Sequence, residues 1–335
     1  MAGPISIVVL DGHTLTPAVP GEPPPAGEPG WEPLEALGRL RVFPRTSREQ
    51  RLEHAAGAEI LLTNKVVLDR GTLSELPSLR YVGVVATGTN VVDLEAASER
   101  GIVVSNVPAY STESVAQHVF ALLLELLVHT SRHDAAVHAG EWVRSRDFSF
   151  RVAPTEELSG KTLGIVGMGT IGRRVAQIGA AFGLGIAAAH QRSMDHIVVP
   201  GVAVKWLPLD ALFAQCDVLS LHCPLNEATR GLVSRSRLAL MKPSAILINT
   251  GRGELVDEAA VSQALHAGAL GGAGLDVLSR EPPDADNPLL GAPRCIITPH
   301  VAWATRQARA RLMRASVENV RAFLAGKPQH VVSGR

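Results

Sequence analysis

The hexapeptide Gly167-Met168-Gly169-Thr170-Ile171-Gly172 follows directly on the β-type run Leu163-Gly164-Ile165-Val166 and opens a helical pattern. By itself a GxGxxG is a weak signal. Between a strand and a helix each glycine has a physical reason: the first permits a tight turn, the second lets a pyrophosphate approach the backbone, and the third lets helix and strand pack closely. The helix N-terminus then offers free amides and the positive end of its dipole to an anion. Such a unit belongs in a parallel sheet, and the rest of the chain fits around it.

Short apolar runs alternate with helical patterns almost throughout, which predicts parallel sheets covered on both faces and an α/β fold of doubly wound type. Strands are expected at Ile5–Leu10, Leu40–Phe43, Glu59–Leu62, Tyr81–Val85 and Ile102–Val104, with helices over Ser47–Ala55 and Val91–Arg100. A long, largely buried helix is expected from Ser111 to Val128. A second series follows: strand Thr162–Val166, helix Thr170–Phe182, strands Gly185–Ala189, Val218–His222 and Ala245–Asn249, helix Asp257–Ala267, and strands Gly272–Val277 and Cys295–Thr298. A final helix runs from Trp303 to Leu324. Residues 12–30 carry Pro17, Pro20, Pro23, Pro24, Pro25 and Pro29, which forbid a regular helix or central strand, so an exposed, mobile loop without chemistry is expected there.

At 335 residues the chain is too long for one core and suits two domains of roughly 150 residues each. Lys and Arg number 32 against 32 Asp and Glu, which argues against a nucleic-acid binder, whose affinity needs an excess of cations facing phosphates. Cys216, Cys223 and Cys295 are odd in number and lack CxxC spacing, which argues against a disulfide framework and a thiolate zinc site. His118, His129, His133 and His138 lack ligand spacing as well, so no metal is expected. No basic segment precedes Ile5, and the apolar stretch Val119–Val128 is interrupted by Glu125 and falls short of the roughly 20 residues of a membrane span. A cytoplasmic protein without membrane partners is expected.

In a site selective for NAD(H), an acidic residue about 20 positions beyond the glycines binds the ribose 2′-hydroxyl. The strand ending at Ala189 runs instead into His190-Gln191-Arg192-Ser193, without a carboxylate. Arg192 can pair with a 2′-phosphate and Ser193 can donate to it, which favours NADP(H) over NAD(H). The alternative is that Arg192 is a solvated charge and Asp195 takes the ribose.

Arg252 in Asn249-Thr250-Gly251-Arg252-Gly253, Glu281 before Pro282, and His300 in Thr298-Pro299-His300 stand at the C-terminal ends of expected strands, the edge where open α/β sheets bind ligands. With Ala86-Thr87-Gly88-Thr89-Asn90, Val92-Asp93, Asn106-Val107-Pro108 and His222-Cys223-Pro224-Leu225-Asn226, the chain from about residue 58 to 325 resembles the D-isomer-specific 2-hydroxyacid dehydrogenase family. Gln117-His118-Val119-Phe120-Ala121-Leu122 and His300-Val301-Ala302-Trp303-Ala304-Thr305 look most like its glycerate dehydrogenase or hydroxypyruvate reductase branch.

The resemblance implies a Rossmann cofactor domain, residues 106–299, inserted in a smaller flavodoxin-like substrate domain formed by residues 1–105 and 300–335. It implies that Arg252 binds the substrate carboxylate and polarises the 2-oxo group, that His300 protonates the developing alkoxide, and that Glu281 holds His300 and favours its imidazolium. Ala86, Thr87 and Gly88 would grip the carboxylate through their amides, and Trp303 would wall a small pocket. Met168, Thr170, Ile171, His222, Cys223, Pro224 and Thr250 would join the glycines around the cofactor, with Asp276 near the nicotinamide carboxamide. The expected activity is NADP(H)-preferring reduction of hydroxypyruvate and glyoxylate to D-2-hydroxy acids by a homodimer. The alternatives are a dehydrogenase for another 2-hydroxy acid, such as 3-phosphoglycerate, and a dinucleotide-sensing corepressor-like binding protein. The short stretch after Leu324 disfavours the phosphoglycerate enzymes that carry a regulatory domain.

Overall fold

The computed structural model describes residues 4–16, 22–24, 26–189 and 198–334. In it the apolar runs become parallel strands, the inner ones buried on both faces, and contacts divide the chain into two compact units, Met1–Ser111 with Ala304–Arg335 and Thr112–Trp303. The changeovers therefore fall at 111/112 and 303/304, where the sequence reading put them at 105/106 and 299/300.

In the first unit, β1 (Ser6–Val9), β2 (Arg39–Val42), β3 (Ile60–Thr63), β4 (Tyr81–Val84) and β5 (Val103–Ser105) form a sheet in the order β2-β1-β3-β4-β5. All pairs are parallel, and the order is the flavodoxin-like one. The helix Arg306–Leu324 belongs to this unit. Its Phe323 ring lies 4.7 Å from that of Tyr81, and its buried Asn319 donates to the Asn106 carbonyl at 2.9 Å. The tail beyond it returns to the sheet, where Val332 N–H donates to Val104 O.

The Pro-rich stretch differs from expectation at both ends. Gly12–Thr14 form a turn of 3-10 helix, Gly12 and Thr14 to Thr16 are buried, and Glu28 pairs with Arg309 of the last helix. Proline bars regular hydrogen bonding, but it does not bar apolar side chains such as Leu15 and Trp31 from a core. Residues 17–21 and 25 lie outside the described residues.

In the second unit, β6 (Thr162–Val166), β7 (Gly185–Ala189), β8 (Val204–Trp206), β9 (Val218–Leu221), β10 (Ile246–Asn249), β11 (Gly272–Leu275) and β12 (Cys295–Ile297) run parallel in the order β12-β11-β10-β9-β6-β7-β8. This is the Rossmann order, in which the chain reverses direction across the sheet between β6 and β9 and opens a crevice at their C-terminal ends. The strand β8 was not expected from the sequence, because three residues with Lys205 exposed give too short an alternation to read. The helix Thr112–Val128 lies on this sheet, buried through Val119, Leu122, Leu123 and Leu126. Glycines in β11 admit it: a Cβ on Gly274 would sit 2.9 Å from the Leu122 Cβ, and one on Gly272 would sit 3.2 Å from a Leu126 methyl.

Several helices begin where a side chain satisfies an orphan amide. Asp93 caps Leu94–Glu99, Asp257 caps Glu258–His266 and Thr305 caps Arg306–Leu324. The last helix thus starts three residues later than expected. Among the described residues no single helix is long and apolar enough to cross a membrane.

Candidate active site

The turn after β6 shows three different glycine constraints. Gly167 has φ +99°, and a Cβ there would lie 2.5 Å from the Cys223 amide nitrogen. A Cβ on Gly172 would lie 2.1 Å from the Gly167 carbonyl oxygen, so the helix Thr170–Ala181 can start this close to β6 only without a side chain. A Cβ on Gly169 would meet nothing within 4 Å. Gly169 and Thr170 are exposed at the helix N-terminus, whereas Met168 is buried and Ile171 partly so. The open approach at Gly169 leaves room for a pyrophosphate against the backbone. Across the switch point, Thr250 Oγ1 is buried without a hydrogen-bond partner among the described residues, a polar atom left for a ligand. These residues fit a dinucleotide. His190, Gln191, Arg192 and Ser193, and with them Asp195, lie outside the described residues.

His222 and Cys223 close the other side of the turn, where the His222 amide donates to Val166 O at 2.7 Å. Burial pushes the Cys223 thiol up to about 11, so it stays protonated, and Pro224 is exposed with its carbonyl held by the Thr229 hydroxyl at 2.7 Å. Burial lowers His222 to about 4 from an ordinary 6.5, and its Nε2 lies 2.8 Å from Ser220 Oγ. Below pH 6.5 the unfolded chain binds a proton at this ring that the folded chain refuses until about pH 4. The stabilising contribution present at neutral pH is therefore lost as pH falls through that window. His222→Gln is expected to show a smaller drop in Tm than the wild type between neutral pH and about pH 4. Equal drops would contradict a His222 ring that stays neutral in the fold.

Arg252, Glu281 and His300 follow β10, β11 and β12, three neighbouring strands about 4.8 Å apart. Asn249, 1% exposed at the end of β10, shapes the first turn: its amide donates to Arg252 O at 2.8 Å and its oxygen accepts Gly251 N–H at 3.0 Å. Arg252 is half-buried, with Nη1 donating to Gly251 O at 2.7 Å. Gly253 then packs on the Glu281 loop, since a Cβ there would lie 1.9 Å from the Leu278 carbonyl carbon. Glu281 accepts the Leu278 amide through Oε1 at 3.1 Å and contacts His300 Nδ1 through Oε2 at 2.6 Å. The acceptor at Nδ1 leaves His300 Nε2 to carry a proton outward.

His300 has φ +55°, a left-handed conformation that costs a non-glycine residue about 1–2 kcal/mol. Its backbone is held there by Asp276. The Asp276 carbonyl accepts His300 N–H at 2.8 Å, Oδ1 accepts Val301 N–H at 2.9 Å, and Oδ2 accepts Ala302 N–H at 2.8 Å. The Asp276 side chain is 1% exposed. Trp303, half-buried, ends the unit. In the first unit Ala86, Thr87 and Gly88 follow β4, and Asn106-Val107 fix them: Thr87 Oγ1 donates to Val107 O at 2.9 Å, Asn106 Nδ2 donates to Thr87 O at 2.7 Å, and Val107 N–H donates to Ala86 O.

Over residues 120–302 the sequence matches the family described as D-isomer specific 2-hydroxyacid dehydrogenase, NAD binding domain. The chain belongs to this family. It is 42% identical over 332 residues to the hydroxypyruvate reductase of Blautia hydrogenotrophica, a match covering 98% of this chain and all of that one. It is 42% identical over 311 residues to the glycerate dehydrogenase of Methylorubrum extorquens, covering 90% and 96% of the two chains. Among solved structures, D-lactate dehydrogenase from Aquifex aeolicus, complexed with NAD and lactic acid, superposes with a TM-score of 0.82 at 29% identity, covering 98% and 99%. The protein is accordingly an oxidoreductase of 2-hydroxy and 2-oxo acids that uses a nicotinamide dinucleotide.

For this dehydrogenase, two residues that shape the site receive no role from the sequence alone. Asn249 carried a signal, a polar residue closing an otherwise apolar strand. His118 was set aside for want of metal-ligand spacing, yet its Nε2 lies 2.9 Å from Thr298 Oγ1.

Proposed function

We propose that the enzyme reduces hydroxypyruvate to D-glycerate, and glyoxylate likewise, with NADPH preferred over NADH. The observation that carries this reading is the 2.6 Å contact of Glu281 with His300 Nδ1, one strand away from the Asn249-shaped turn of Arg252. A bound nicotinamide dinucleotide supplies the hydride to the carbonyl carbon. Arg252 pairs with the substrate carboxylate and polarises the 2-oxo group through its guanidinium. His300 holds a proton at Nε2 and gives it to the alkoxide oxygen, while Glu281 fixes the ring by accepting from Nδ1. Trp303, three residues on, limits the size of the 2-oxo acid. The similarity to a hydroxypyruvate reductase and a glycerate dehydrogenase along nearly the whole chain supports the substrate choice.

The preference for NADPH rests on the sequence, in which the strand ending at Ala189 is followed by Arg192 and Ser193 with no carboxylate among residues 190–193 to exclude a 2′-phosphate. The test is kcat/KM with both dinucleotides and a panel of 2-oxo acids. Hydroxypyruvate and glyoxylate are expected to be the best substrates, and Arg192→Ala should cut the NADPH preference by about tenfold, as loss of one charge-assisted contact does. Turnover of bulky oxo acids alone, or a preference for NADH that Arg192→Ala leaves untouched, would overturn the respective parts.

A further inference from the structure

The segment carrying His300 is held from two sides, by Asp276 of its own sheet and by the helix Thr112–Val128. On that helix Ser114 and His118 stand four residues apart and so share one face. Ser114 Oγ donates to Ala302 O at 2.5 Å. His118 Nε2 lies 2.9 Å from Thr298 Oγ1 and 3.4 Å from Asp276 Oδ1. The Thr298 hydroxyl has a single proton, and it goes to Asp276 Oδ1 at 2.6 Å. The contact between Thr298 and His118 therefore has to be a donation from His118 Nε2–H, which fixes the protonated nitrogen of this ring.

We propose that His118 is a positioning residue for the reaction: its Nε2–H completes a three-group clamp with Thr298 and Asp276 that sets the backbone of His300. The proposal rests on the reading of His300 as the proton donor. Asp276 directs its carbonyl to the amide of His300 and its two carboxylate oxygens to those of Val301 and Ala302, so a rotation of this carboxylate shifts the two amides that follow the strained residue carrying the acid. Thr298 Oγ1 donates to Oδ1, His118 Nε2 lies 3.4 Å from the same oxygen, and without His118 the hydroxyl oxygen of Thr298 loses its own donor. The His118 side chain is also only 20% exposed. Such a residue acts on the geometry of proton delivery and leaves substrate binding by Arg252 unchanged.

The test compares His118→Leu, which removes the donor, with His118→Gln, whose side-chain amide places an N–H near the position of Nε2. In steady-state reduction, His118→Leu should lower kcat by about 10- to 100-fold with KM for the 2-oxo acid within about threefold, the pattern of a misplaced catalytic group. His118→Gln should recover kcat to within about threefold of the wild type. Amide hydrogen exchange of the peptide spanning residues 298–302, measured on the protein without substrate, should be faster in His118→Leu and near normal in His118→Gln. A kcat unchanged in His118→Leu, an equal loss in both variants, or unaltered exchange at 298–302 would overturn the proposal. Absence of turnover in the wild type would instead count against the functional reading, and the exchange comparison would still decide the role of His118.

Discussion

His300→Ala is expected to lower kcat for 2-oxo acid reduction by about 10²–10⁴-fold while leaving dinucleotide binding intact. Hydride addition to a carbonyl leaves negative charge on oxygen, and a positioned proton donor removes that charge as it forms. The His300 ring is held by the Glu281 carboxylate at Nδ1 and by a backbone anchored at three successive amides, so it has little freedom to search. Alanine removes the proton and the ring together. Glu281→Gln makes the complementary point: it keeps an acceptor for Nδ1–H and removes the charge, so a smaller loss of about tenfold in kcat is expected. The measurement is kcat for each variant beside the dinucleotide Kd by fluorescence. Near-normal kcat in His300→Ala would remove this histidine from the chemistry.

Gly253→Ala is expected to be nearly as damaging, although residue 253 offers no functional group. The added Cβ would stand 1.9 Å from the Leu278 carbonyl carbon, 2.1 Å from its oxygen and 2.2 Å from the Ser279 nitrogen. These are backbone atoms and cannot rotate away. The turn that carries Arg252 and the loop that carries Glu281 have to separate by about an ångström, and misplacement of that size costs about 10²-fold in rate. Overpacking adds about 1–3 kcal/mol of destabilisation, visible as a lowered Tm. A variant with normal kcat and normal Tm would mean that the two loops do not depend on each other's position.

What the sequence makes legible here is what local chemistry determines. The strand Thr162–Val166, the glycine turn and the following helix can be placed because each glycine answers a nearby constraint, and the carbonyl of Gly167 touching the Cβ direction of Gly172 is one of them. Arg252, Glu281 and His300 can be picked out because strand ends in a parallel sheet share an edge. The partner of His118 is 180 residues away, so no spacing rule reaches it. The burial of Leu15 is hidden by the prolines after it, which signal backbone irregularity and say nothing of depth. The edge strand Val204–Trp206 is defined by its pairing with β7 more than by its own pattern.

The proposed reaction joins a hydride from the dinucleotide to a proton from His300 on a 2-oxo acid. It is tested most directly by incubating the protein with reduced dinucleotide and hydroxypyruvate and resolving the glycerate formed by chirality, with His300→Ala in parallel. The expected product is D-glycerate equal in amount to the dinucleotide oxidised, with formation slowed at least about 10²-fold in the variant. L-glycerate, or dinucleotide that binds and is never oxidised, would contradict it.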